Sequence, residues 1–242
     1  MSISEVKAMR SSIAAVTAGI TSSVLRDSIS GTRLTITGVT PGELQPKKTY
    51  LYNSVKSVTI SQGICNNIFP EPDCTNLCGI IRYPLRAATK LALSDVLDQC
   101  VDLAFTGSLG GPVHTRKLSM QLPKTQSTGG RAAIAKPEKP SVTTREYWRR
   151  FMNDVLVNTA SDLVYDIGRK RAAMINSGSN PSVMDTATWA FASAAAGEFV
   201  RAKLDNKYTP DYIKAGMKSA IFKTSFSYVY ALLMASPPVE NP

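Results

Sequence analysis

Apolar residues recur every three or four positions through most of this chain, and the repeat divides into separate helical segments. Val6, Ile13, Val16, Ile20 and Val24 predict a helix over about Ser4–Arg26. Ser2-x-x-Glu5 ahead of it has the form of a capping box, which satisfies free amides in a first turn. Leu85, Ala88, Leu91, Ala92, Val96, Cys100 and Leu103 make a second apolar face. They predict a helix from about Pro84 to Phe105, with proline in the first turn, where its missing N–H has no partner anyway. Thr143-x-x-Glu146 is another capping box and opens a helix to about Met174, buried along Phe151, Val155, Leu163 and Ile167. Asn180-Pro181 and Thr209-Pro210 each supply a cap and a preset first turn. The helices they open carry Trp189, Phe191, Ala195 and Phe199 to about Leu204, and Ile213, Met217, Ile221 and Val229 to about Met234.

Between the first two helices the period changes. Leu34 and Ile36 alternate with Thr35 and Thr37, and Val39-Thr-Pro-Gly-Glu reads as a turn. Thr49–Ile60 follows, with Tyr50, Tyr52, Val55, Val58 and Ile60 available to pack, so the two runs predict a hairpin or small sheet. The Cys65–Cys78 stretch, with Pro70 and Pro72, predicts a loop. The expected fold class is α+β, predominantly α-helical. An N-terminal helical arm (1–30) leads into an α/β region with the β hairpin (31–106), a basic flexible connector (107–142), a C-terminal helical bundle (143–236) and a short tail (237–242). The arm is of the kind that docks on a neighbouring copy.

Charge changes this picture from a generic helical protein to one with a polyanionic partner. Residues 107–142 hold Arg116, Lys117, Lys124, Arg131, Lys136 and Lys139 against Glu138 alone, a net of +5 out of the molecule's +10. The flanking regions are close to balanced, with ten bases and eight acids before this stretch and twelve and nine after it. Arg145-Glu-Tyr-Trp-Arg-Arg-Phe follows directly, placing Arg145 and Arg149 on one helix face with Arg150 one step round. Arginines fork onto phosphates, and Tyr147 or Trp148 offers a ring for a base, although Trp148 and Phe151 fit a core better than a stacking platform. Arg169-Lys170-Arg171 is a further cluster, in which Asp166 is placed to pair with Lys170.

Catalytic chemistry finds little support. His114 is the sole histidine, and the glycines of Gly107-Ser-Leu-Gly-Gly lack the Lys-Ser/Thr ending of a phosphate loop. Asp95, Asp98 and Asp102 follow a spacing that suits a solvated helix face better than a metal site. Cys74-x3-Cys78 with Cys65 and His114 falls short of the paired spacing of structural zinc, so the four cysteines read as reduced thiols. No cofactor or metal is expected. No apolar run approaches the roughly 20 residues that cross a bilayer, and the N-terminus lacks a secretory core.

The expectation is a non-enzymatic structural protein that self-associates and packages single-stranded RNA through phosphate contacts, as a viral nucleocapsid or coat subunit does. It would reside in a virion, in host cytoplasm, or, if not viral, inside a cell as a soluble protein. Its expected contacts are Arg116, Lys117, Lys124, Arg131, Arg145, Arg149 and Arg150 to the backbone, with Tyr147 and Trp148 near bases. A peripheral membrane-associated matrix-like or transport protein, drawn by basic charge, and a nucleic-acid-processing enzyme are the rival readings.

Overall fold

A computed structural model of the chain describes residues 3–29, 50–69, 72–106, 144–175 and 181–235. Of these 91% are helical, and no strand occurs among them. The elements are α1 (Ile3–Ile29), α2 (Tyr50–Val58) running into a π-helical segment (Thr59–Cys65) and a three-residue turn of helix (Asn66–Ile68), then α3 (Leu77–Thr106), α4 (Thr144–Ile175), α5 (Val183–Leu204) and α6 (Tyr212–Ala235). Helices pack in chain order from α3 to α6, α1 returns onto α6 and carries α2, and the π-helical segment meets α3, so the bundle closes on itself.

The expected β hairpin is therefore corrected to helix where it is described; its first run, residues 32–39, lies outside the described residues. One carboxylate shows why the second run is helical. Tyr52 Oη donates to Asp98 Oδ1 at 2.6 Å and Lys56 Nζ at 3.0 Å. In a strand, residues four apart stand about 13 Å apart, beyond the reach of one acceptor, whereas one helical turn stacks them. This tertiary pairing overrides the β-propensity of the tyrosines and valines.

α3 also starts earlier than its proline suggests. Asn76 Oδ1 accepts the Gly79 N–H at 2.5 Å and Asp73 Oδ1 accepts the Thr75 N–H at 3.1 Å, so the predicted loop ends in a cap at Asn76 and Pro84 sits inside the helix. A Cβ on Gly79 would lie 1.9 Å from the Asp73 carbonyl oxygen, which makes glycine necessary to this turn. The later helices begin close to their expected starts. In α5 the cap is Ser182 rather than Asn180: its hydroxyl accepts the Asp185 N–H, and the Asp185 carboxylate accepts the Ser182 N–H.

Packing differs from the expected faces. α1 buries Ala14, Ala15, Ala18 and Ser22, while Val6 and Ile13 are exposed. α3 buries Tyr83, Ala87, Asp95 and Asp98, and exposes Leu85, Val96 and Leu103. α5 buries Thr186, Ala190, Ser193 and Gly197; α6 buries only Gly216. Among the described residues Ala87, Phe151 and Val155 form a buried apolar cluster, with Ala88 and Leu91 packed against it, and Ile60, Tyr83 and Val157 are buried as well.

Small residues hold the helices because they let backbone approach ring. A Cβ on Gly168 would meet the Trp189 indole at 1.9 Å, one on Gly216 the Phe191 ring at 2.5 Å, and one on Gly197 the Ser161 hydroxyl at 2.4 Å. Gly168, a poor helix former inside α4, is thus a point of contact with α5. α1 lies antiparallel to α6: the Arg10 guanidinium donates to the carbonyls of Leu233 (3.1 Å) and Met234 (3.0 Å), capping that helix end, while the Arg26 guanidinium sits 5.7 Å from the centre of the Phe222 ring at the other end.

Gly168→Ala forces overpacking against Trp189 and is expected to destabilise the fold by about 1–3 kcal/mol in urea titration. Gly63→Ala, in open space within the π-helical segment, is expected to be neutral or stabilising by up to about 1 kcal/mol. Equal effects at the two positions would contradict this packing.

Candidate functional site

Arg145, Trp148, Arg149 and Met152 all fall within about 100° of the circumference of α4, since successive helical residues turn by about 100°. All four are exposed, Trp148 to 55%. Among the described residues no carboxylate pairs with Arg145 or Arg149. Trp148 packs edge-on against Tyr147 and Phe151, with ring centres 5.7 and 5.6 Å away, so its indole is braced while its outer face meets solvent. Phe151 is buried.

The other expected contacts are placed differently. Arg150 is mostly buried and pairs with Glu146 one turn back. Tyr147 is half-buried, and its hydroxyl faces Asp95 Oδ2 at 3.4 Å. Burial, reinforced by the Asp95 charge, raises its pKa above the usual tyrosine value. Arg116, Lys117, Lys124, Arg131 and His114 lie outside the described residues. In the third basic cluster Lys170 pairs with Asp73, holding that carboxyl down to about 2, and Asp166 instead accepts from Tyr83 Oη at 2.8 Å. Twenty residues of α4 separate Arg169 from Arg149, which places it about 30 Å along and about 200° round the helix. The two clusters face different ways.

Asp95 and Asp98, expected on a wet face, are 5% and 2% exposed. They are tolerable inside because they are satisfied: Asp98 by Tyr52 and Lys56, Asp95 by Tyr147. Cys65 is buried, Cys74 partly buried, and Cys78 and Cys100 exposed, all as free thiols. Among the described residues no cluster of three histidine, cysteine or acidic side chains is arranged to hold a metal, and no helix is long and apolar enough to cross a membrane.

A second cationic feature lies inside the bundle. A cleft of about 510 Å³ opens where α1, α2, the π-helical segment, α3, α4 and α6 meet, and Lys90, Arg169 and Lys223 line it. Lys223 Nζ lies 3.3 Å from the centre of the Tyr165 ring, with the Arg169 guanidinium 5.9 Å from the same centre. Burial pushes the Lys223 ammonium down to about 8; the charges of Asp162 and Asp166 oppose that fall, and those of Arg169 and Lys90 add to it. Among the described residues none of the three cations forms an ion pair. The sequence signal for this site is weak, because its members come from distant segments and nothing in the sequence sets Lys223 apart from Lys214 and Lys218 on the same helix.

The chain matches no protein-family model, no curated protein and no solved structure at a significant level.

Because the folded chain holds Lys223 below its ordinary value of 10.5, it binds fewer protons than the unfolded chain between about pH 8 and 10.5, and stability attributable to this group rises across that window. Lys223→Met is therefore expected to be more stable than wild type at pH 7, by up to about 3 kcal/mol, with the gap narrowing as pH approaches 10. Urea titrations at pH 7, 8, 9 and 10 measure this, and a gap independent of pH contradicts it.

Proposed function

We propose that this protein is a structural, non-enzymatic subunit that self-associates and coats single-stranded RNA by sequence-independent phosphate contacts, in the manner of a viral nucleocapsid or coat protein. It works within a virion or the host cytoplasm. The observation that carries this reading is the exposed Arg145–Trp148–Arg149 face: two guanidiniums without carboxylate partners among the described residues, flanking a braced and exposed indole. Guanidiniums suit phosphate oxygens, and an indole stacks on any base, so the pair grips a strand without reading its sequence. The chain's net +10 supplies the long-range attraction.

Self-association is supported by what the helices leave outside. Val6, Met9 and Ile13 on α1 are each more than half exposed, as are Ile213, Met217, Tyr228 and Leu232 on α6. Each set follows helical spacing, so each forms a stripe rather than scattered residues. A single copy buries mainly small side chains, and neighbouring copies are the economical cover for such stripes.

Fluorescence anisotropy with a labelled single-stranded RNA across a salt series tests the strand contact. Removing both arginines (Arg145→Ala with Arg149→Ala) is expected to weaken binding about tenfold and to flatten the log–log salt slope by about 1.4. Trp148→Ala is expected to cost about 1–3 kcal/mol while leaving the slope unchanged. Affinity and slope that ignore all three changes would remove this face from the interface.

A further inference from the structure

We propose that the cleft between α2, α4 and α6 is a binding site for a nucleotide unit: a phosphate ester held by Lys90, Arg169 and Lys223, with its sugar among serines and its base against aromatic rings. The site faces away from the Arg149 surface and stands independently of the coat-protein reading.

Three features of the lining lead there. Among the described residues its charged members are all cations, and no carboxylate lines the cleft. Three cations converging on one opening match the several oxygens of a phosphate, and the combination of a planar guanidinium with two ammoniums is common in phosphate recognition. Next, the wall between the cations is rich in short hydroxyls: Ser54, Ser57 and Ser61 from α2 and the π-helical segment, Ser23 from α1 and Ser227 from α6. Such a wall suits ribose hydroxyls and does not suit a fatty chain. Finally, Tyr165, Phe222 and Phe226 line the same cleft, and the last two stack on one another with ring centres 6.1 Å apart. At about 510 Å³ the volume lies within the range of small-molecule sites.

The energetics agree with the geometry. An ammonium drawn into a bundle without an ion pair destabilises the empty protein, because the charges of Asp162 and Asp166 offset its burial only in part, and a bound phosphate supplies further opposite charge. The Tyr165 face offers Lys223 only partial compensation meanwhile. Lys90, Ser57 and Ser61 also line a neighbouring cavity of about 370 Å³, whose other charged members are Asp162 and the Asp98-paired Lys56.

Isothermal titration calorimetry on the full chain at pH 7 tests this, with adenosine monophosphate, inorganic phosphate, a short single-stranded RNA and phosphatidic-acid vesicles as separate probes. Saturable binding of the mononucleotide, about tenfold or more tighter than inorganic phosphate, is expected. Lys223→Met and Arg169→Gln are each expected to weaken it about 10- to 100-fold, and Lys7→Gln, an equal loss of charge at a remote exposed site, to leave it unchanged. RNA heat that is lost in the same two variants identifies the strand as the source of the nucleotide; RNA heat that persists leaves the free nucleotide as the ligand. Arg169 is exposed, so its variant reports on binding even where Lys223→Met alters folding. The site is overturned by absent mononucleotide binding, by equal affinity in wild type and both variants, by an equal loss in Lys7→Gln, or by vesicle binding through Lys223 without nucleotide binding.

Discussion

Where Gly168 meets the Trp189 ring and Gly216 meets the Phe191 ring, backbone of one helix touches an aromatic face of the next, with no room for another carbon. Contacts of this kind run through the molecule, and they decide what is left over. A helix that uses glycine, alanine and serine to approach its neighbour must direct its large apolar residues elsewhere. Hence Leu85, Val96 and Leu103 point outward from α3, and the stripes on α1 and α6 stay exposed. The dense inner seam and the apolar outer surface are two consequences of one packing choice.

Charged groups admitted to the interior obey a second rule, that each finds a partner; uncharged hydroxyls are held less strictly, and those of Ser22, Thr159 and Thr224 lie buried without one. Asp98 takes a tyrosine hydroxyl and a lysine, Asp95 a tyrosine, Asp166 another tyrosine. Lys223 departs from it, since its nearest partner is a ring face and its charge is opposed by burial. A violation at one residue, within a cleft whose other charged members are also cations, is the pattern of a site prepared for an anion.

Much of the helical framework can be read from the sequence because its ends are chemically marked. The Thr143-x-x-Glu146 spacing and the proline pairs before α5 and α6 place those helices to within a few residues. The faces are less legible. Hydrophobic periodicity assumes that the largest apolar residues go inside, and in α1 and α3 the residues that pack inward are alanine, serine and hydrogen-bonded aspartate. α2 was unreadable as a helix because its Tyr and Val favour strands until one carboxylate on α3 gathers Tyr52 and Lys56. Of the surface chemistry, Arg145 and Arg149 were visible from their i, i+4 spacing. The ion pair that withdraws Arg150 was visible only as a possibility, through Glu146. The cleft could not be read at all, because it exists only once segments from Ser23 to Ser227 converge.

We propose that this protein's outward cations and outward apolar stripes serve one assembly, in which several copies surround a nucleic acid. Size-exclusion chromatography of the full-length protein, with the 260/280 nm absorbance ratio followed before and after nuclease at high salt, tests it most directly. Assembly around a nucleic acid predicts particles larger than one copy that carry nucleic acid, lose it and shrink after treatment. A single species of monomer mass, free of nucleic acid before and after, would contradict it.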